Sequence, residues 1–256
     1  MTFWDHLDVM RSMLVRVAVV VVLLTIGCFF LKDWLFSVIL APRDASFVTY
    51  RLLDSVAGIL SPVPDAQASV PLINTDLARQ FLIHMRISFY AALVLASPYI
   101  IYQLFTFISP ALYANERRYL LRISLPAYIL FMLGVAVSYF IIFPLTFRFL
   151  GSYQVSPVVA NMISLESYIN TLVTLCIAMG VVFQLPILCW LLSRLGILSP
   201  DTMRAYRKHA IVAILILAAI ITPTSDIFTL AIVSLPIYLL FEAGILISAK
   251  SAPHPL

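Results

Sequence analysis

Charge is scarce in this sequence. Its 256 residues hold 12 Asp and Glu and 16 Lys and Arg, 11% in all, where a soluble globular domain carries roughly 25%. Set beside a hydrophobic content of 62%, that shortage excludes a water-soluble core. Histidine and cysteine are few as well. His6, His84, His209 and His254 fall in separate segments, and Cys28, Cys176 and Cys189 sit inside apolar runs as small buried residues without ligand-like spacing. No metal site or metal catalysis is expected from them, and no cofactor. HExxH, GxSxG, CxxC and Walker patterns are all absent, so no motif proposes an enzyme. There is no soluble module bearing a basic patch, which removes nucleic acid from the partners, and no internal repeat or low-complexity tract.

What the chain does have is long uncharged stretches: 17–31, 87–115, 123–147, 167–193, 210–225 and 227–241. A helix needs roughly 20 apolar residues to cross about 30 Å of hydrocarbon, so these read as membrane spans. The expected fold is an all-α integral membrane protein of six transmembrane helices, a single polytopic domain over 1–256. The spans are set at about 15–35, 80–107, 119–145, 166–193, 209–222 and 227–248. The first run reads as a span and not a cleaved signal, because Asp5 and Asp8 are acidic and Lys32-Asp33 closes it. Six spans place both termini on one side. Ten of the 16 cations (Arg11, Arg16, Arg117, Arg118, Arg122, Arg194, Arg204, Arg207, Lys208, Lys250) lie in the segments on that side, which makes it cytoplasmic.

The longest outer segment, about 36–78, carries Pro42, Pro62, Pro64 and Pro71 and is expected to form a partly ordered cap. Ser164-Leu-Glu166 reads as the capped start of the fourth span. The last two spans look short: only seventeen residues separate Lys208 from Asp226, about 26 Å of helix. Pro98, Pro126, Pro144, Pro186 and Pro236 fall inside spans, where a proline kinks the helix and neighbouring groups re-satisfy the carbonyl it frees. Several kinked helices suit a concave bundle.

Polar residues near or inside the spans are the candidates for function: Gln103, Glu116, Glu166, Gln184, Asp226 and Glu242. Gln184 lies deepest, about 24 Å along the fourth span, and two readings stand: a hydrogen bond tying helices together, or a contact to something bound. Glu242 reads as paired with a neighbouring helix. The segment from Gln103 to Arg118 places an apolar stretch, a proline and Glu-Arg-Arg at the membrane surface, either as an interfacial loop or as a carboxylate site for a cation.

The order of short blocks along the chain resembles the TatC family of twin-arginine protein translocases. They are His6-Leu7 with Arg11 and Leu14, Ala41-Pro42, Ser97-Pro98 and Tyr102-Gln103, then Phe107-Ile-Ser-Pro110-Ala-Leu112-Tyr113 with Glu116-Arg117-Arg118. Gly134, Tyr139-Phe140, Phe143-Pro144-Leu145, Phe183-Gln184-Leu185-Pro186, Thr222-Pro223 with Asp226, Pro236 and Phe241-Glu242 follow. The resemblance covers nearly the whole chain. It implies a signal-peptide receptor and core subunit in the bacterial cytoplasmic (inner) membrane, within an oligomeric complex. With TatA-like and TatB-like single-span partners, it exports folded proteins bearing Arg-Arg signal peptides, driven by the proton-motive force. It implies signal-peptide contacts at Glu116, Asp8, Arg11, Phe107, Pro110, Leu112, Tyr113 and Arg117. Gln184, Tyr139, Asp226 and Gln103 are implied as intramembrane polar or partner contacts. Arginine presents a planar fork that a carboxylate binds bidentately and lysine does not, which fits acidic groups at such a site.

The chain departs from the family pattern at three places. Val9 occupies the usual acidic position of the N-terminal motif, Gln184 stands where relatives commonly have glutamate, and Leu230 replaces a polar partner-contacting residue. Asp8 either substitutes for the missing acid or is a solvated residue, since one position on a helix rotates a side chain by about 100°. Kinked spans and buried polar groups also suit a small-molecule secondary transporter, the alternative function.

Overall fold

The computed structural model describes residues 3–44, 46–52, 55, 71–74, 76–108, 117–154, 156, 161–224 and 226–251. Ten α-helices are described: α1 Phe3–Phe30, α2 Lys32–Leu40, α3 Arg79–Ile108, α4 Arg117–Val137, α5 Phe143–Ser152, α6 Leu165–Val182, α7 Leu185–Arg194, α8 Pro200–Ala205, α9 Arg207–Ile221 and α10 Ile227–Ser251. Hydrocarbon leaves no water for backbone groups, so a chain this apolar closes its hydrogen bonds within helices. A two-residue parallel bridge pairs β1 (Leu72–Ile73) with β2 (Ile163–Ser164).

The chain divides into two compact units: Met1–Leu40 with Asn74–Leu130, and Ala41–Ile73 with Phe131–Leu256. In the first, α1 lies along α3. Ser88, Ala92 and Ala96 are buried at every fourth position of α3, and such small side chains let helix backbones approach in a membrane. The ring of Phe29 near the end of α1 stacks on His84 near the start of α3, 4.2 Å between centroids, with Phe81 edge-on at 6.3 Å. The two helices are therefore antiparallel.

In the second unit, Phe143, Phe147 and Tyr168 form an aromatic core between α5 and α6, with Tyr168 meeting the other two edge-on at 5.0 and 5.1 Å. Glycines set the approach of the last turn of α4 to α6. A Cβ on Gly134 would stand 2.5 Å from the Met179 carbonyl oxygen, and one on Gly180 would stand 2.7 Å from the Phe131 ring. At the other end, Cys189, Met203 and Ile245 pack with Leu198 and Phe241 to join α7, α8 and α10.

The prolines behave in two ways. Pro98, Pro126 and Pro236 lie within helices that run on through them. Pro144 and Pro186 instead stand at the second positions of α5 and α7: a π-helical turn, Ser138–Ile142, precedes the first, and the turn Phe183-Gln184 precedes the second. A proline frees the carbonyl four residues earlier. Two of these carbonyls are taken by hydroxyls: Ser97 donates to the Val94 oxygen at 2.6 Å, and Thr49 donates to the Phe140 oxygen. Beside the latter, the Tyr50 hydroxyl donates to the carbonyls of Pro42 (2.9 Å) and Pro144 (3.2 Å), with the Arg148 guanidinium 5.7 Å from its ring. Burial pushes the Tyr50 phenol up to about 12 although Arg148 pulls the other way. Thr49 and Tyr50 thus pin their segment to the π-helical turn and to the start of α5.

The expected capped start at Ser164 is present, its hydroxyl accepting from the Ser167 N–H at 3.2 Å. The spans differ from expectation in four respects. Five helical stretches are long and apolar enough to cross a membrane among the described residues: Leu7–Phe30, Arg79–Phe107, Ile123–Ser152, Leu165–Arg194 and Ile227–Ala249. The remaining one, α9, has 15 residues and reaches about 22 Å. Only α9 is short, since α10 runs for 25 residues straight through Glu242. That carboxylate does not end the helix because Arg207 Nη2 binds it at 2.7 Å and the Tyr238 hydroxyl donates to it at 3.2 Å. The first helix ends at Phe30, ahead of the expected 35, and the fourth span is two helices, α6 and α7.

Two groups of substitutions test this arrangement by thermal unfolding in detergent. Ser97→Ala and Thr49→Val each strand a carbonyl and should cost about 1–3 kcal/mol, while Ser37→Ala, at an exposed hydroxyl, should cost little. Gly134→Ala should cost about 1–3 kcal/mol by overpacking against backbone. Asp226 caps α10, accepting the Thr229 N–H at 2.7 Å. Burial pushes its carboxyl up, but the Thr229 N–H and the Thr224 and Thr229 hydroxyls outweigh that and hold it below its usual 3.8. A depressed folded value gives stability that is full above the unfolded value and is lost as pH falls through the folded one. Asp226→Asn should therefore flatten the acid limb of the stability profile below about pH 4, and Asp226→Ala should cost about 1 kcal/mol at neutral pH.

Candidate functional site

The antiparallel pairing of α1 and α3 decides which residues share an end of the first unit. With Phe29 against His84, counting back 21 residues along α1 reaches Asp8, and counting forward 21 along α3 reaches Phe105, about 31 Å in both cases. Asp8 and Arg11 therefore stand at the same end as Gln103 and Phe107. Asp8, Val9 and Arg11 are all exposed, Val9 at 42%. Gln103 and Phe107 are half-buried, and the Gln103 side-chain amide donates to the Tyr99 hydroxyl at 2.7 Å. Arg117 opens α4, which follows α3 after a short connection. Pro110, Leu112, Tyr113 and Glu116 lie outside the described residues, as does any side-chain detail of Arg117.

This end carries exposed charge on α1 and half-buried aromatic and amide surface on α3. Such a pairing suits a ligand with a cationic part beside an apolar part. Asp8 and Val9, the position at which the family pattern has an acid, are both exposed at this end.

The second unit keeps its three expected polar residues apart. Gln184 stands in the turn between α6 and α7, half-buried, with its amide 3.5 Å from the Gly180 carbonyl. Tyr139 lies in the π-helical turn, its ring edge-on to Phe47 at 5.7 Å and to Phe140 at 4.9 Å. The preceding residue, Ser138, meets Cys176 of α6, two turns from Gln184 and so about 12 Å along that helix. Asp226 is further off, at the α5 end marked by Phe149 stacked on Phe228 at 4.0 Å. These three are separate features of one unit and build no common pocket.

The residues alone gave Glu242 a pairing with a neighbouring helix but not its partners, and gave no hint of the Tyr50 anchor. The Arg207–Glu242–Tyr238 network joins positions 35 apart, and its one local signal was a carboxylate inside an apolar helix that needs a partner. The Tyr50 anchor carried no signal, because both its acceptors are backbone carbonyls, one of them 94 residues away.

A family model described as Sec-independent protein translocase protein (TatC) matches residues 5–236. Relatives called Sec-independent protein translocase protein TatC include one from Blattabacterium sp. subsp. Periplaneta americana, 32% identical over 253 residues that cover 97% of this chain and 95% of that protein. The one from Escherichia coli (strain K12) is 35% identical over 177 residues, 69% of this chain and 68% of that protein. The one from Deinococcus radiodurans is 41% identical over 179 residues, 70% of this chain and 66% of that protein. A crystal structure of a twin-arginine translocase receptor, TatC, superposes with a TM-score of 0.76 at 29% identity, covering 96% of this chain and 99% of the other. This is a family of multi-pass membrane translocase components and not of enzymes, and the small-molecule transporter reading finds no support in it. The chain belongs to the TatC family of Sec-independent protein translocase proteins.

Proposed function

We propose that the chain is the signal-peptide receptor and core subunit of a twin-arginine translocase. It exports folded proteins across the bacterial inner membrane at the expense of the proton-motive force, in a complex with TatA-like and TatB-like single-span proteins. The observation that carries this reading is a likeness over 96% of the chain to a structure described as a twin-arginine translocase receptor. The chain crosses the membrane six times in this reading, α9 included, with both termini cytoplasmic, as the bias of its arginines and lysines supports.

The receptor surface is the end of the first unit that gathers Asp8, Arg11, Gln103 and Phe107, completed by Pro110, Leu112, Tyr113, Glu116 and Arg117. Glu116 is the principal acceptor of the paired arginines, and Asp8 supplies the second carboxylate in place of the acid missing at Val9. Phe107 and its neighbours take the apolar part of the peptide. Gln184, Tyr139 and Asp226 serve as separate polar contacts within the bundle or to partner helices. Gln184 carries no charge, so any role it has is through hydrogen bonding and not proton transfer.

The test is binding of the purified chain in detergent to an Arg-Arg signal peptide and to its Lys-Lys counterpart. The Arg-Arg peptide should bind at least tenfold more tightly, and Glu116→Gln should weaken it by about 10–100-fold, the loss of one charge-assisted hydrogen-bonded pair. Binding should weaken with added salt, since exposed charges are screened over about 8 Å at physiological ionic strength. Equal binding of both peptides, or Arg-Arg binding unchanged in Glu116→Gln, would overturn the assignment.

A further inference from the structure

We propose that the α7–α9 end of the second unit is a binding site for an anionic phospholipid. The site is one packed body, because Cys189, Met203 and Ile245 join α7, α8 and α10 there. Around that body stand Arg194 at the end of α7, Arg204 in α8, and Arg207 and Lys208 at the start of α9. Arg207 is engaged by Glu242 at 2.7 Å. Arg204 meets Asp201 at 3.3 Å in an exposed pair of the kind that contributes little, so it can turn to another anion. Arg194 and Lys208 are exposed as well. Aromatic rings of the type found at headgroup depth accompany them: the Arg194 guanidinium lies 5.4 Å from the Trp190 ring, and exposed Tyr206 sits beside His209 at 5.4 Å.

Two features of α9 point to a lipid and not to a free anion. Lys208, Val212, Ile216 and Ile220 recur every fourth residue, so they form one stripe along the helix, with the three apolar side chains exposed at 56%, 57% and 75%. A cation thus stands above roughly 18 Å of bare apolar surface, which is the profile of a phosphate above an acyl chain. Second, the 15 residues of α9 reach about 22 Å, about 8 Å less than the hydrocarbon core. Such a mismatch draws headgroups inward beside the helix, toward its basic start. Each cation near a membrane surface contributes about 1 kcal/mol of attraction to anionic lipid, equivalent to about fivefold in affinity. The site is independent of the receptor reading, because headgroups line both faces of a bilayer.

The experiment uses the whole chain, delipidated in detergent, titrated with phosphatidylglycerol, phosphatidylcholine or inorganic phosphate, and followed by native mass spectrometry and thermal midpoint. Phosphatidylglycerol should be retained and should raise the midpoint, and the other two should not. Lys208→Gln should weaken retention about fivefold, the Arg194→Gln/Arg204→Gln/Lys208→Gln variant about 100-fold, and Lys208→Arg hardly at all. Lys208 is exposed, so the single variant keeps the test valid if the triple variant does not fold. Equal retention of the two lipids, equal stabilisation by inorganic phosphate, or undiminished phosphatidylglycerol binding in both variants would overturn the proposal. So would displacement of phosphatidylglycerol by a single-span partner helix with no dependence on the three cations, which would give the stripe to protein. Signal-peptide binding, measured on the same preparations, reports on Glu116 and fails or succeeds separately.

Discussion

Everything in this molecule answers to one constraint: a carbonyl or amide inside hydrocarbon must find its hydrogen bond within the protein. Unbroken helix meets that demand without assistance. Each proline breaches it, and two of the breaches are mended by named hydroxyls, Ser97 for the Val94 carbonyl and Thr49 for the Phe140 carbonyl. The second repair reaches further than the first. Because the donor belongs to a distant segment, satisfying one backbone group in the π-helical turn before α5 also fixes where residues 46–52 lie, and Tyr50 strengthens the attachment with two more carbonyls. A local chemical demand has become a tertiary restraint.

The same accounting explains where charge is permitted. Glu242 sits well inside α10 because Arg207 and Tyr238 complete it, and the helix passes through. Asp226 sits at a helix start, where free N–H groups welcome a carboxylate. Gln184 stands in the turn between α6 and α7, a place where irregular backbone already requires polar company.

Local signals were legible in the sequence and distant ones were not. Hydropathy located the long apolar helices, and Ser164-Leu-Glu166 announced the start of α6. The prolines announced breaks, but not which of them would divide a span, since that depends on what reaches the freed carbonyl from elsewhere in the chain. The last span was expected to be short yet α10 runs for 25 residues, and the partner that lets it carry Glu242 lies 35 residues earlier. At the candidate receptor end, the residue types could be recognised from their order, whereas the levelling of Asp8 with Phe105 needed the Phe29–His84 stack to set the register of two antiparallel helices.

The attachment at Tyr50 has a consequence for how the protein is made. A membrane chain is threaded into the bilayer from its N-terminus, and the carbonyl that Tyr50 needs on Pro144 is synthesised 94 residues after it. Until α5 arrives, residues 46–52 can be delivered but not fastened. The contacts of Thr49 and Tyr50 with Phe140 and Pro144 thus close late, after the π-helical turn and the start of α5 have been made.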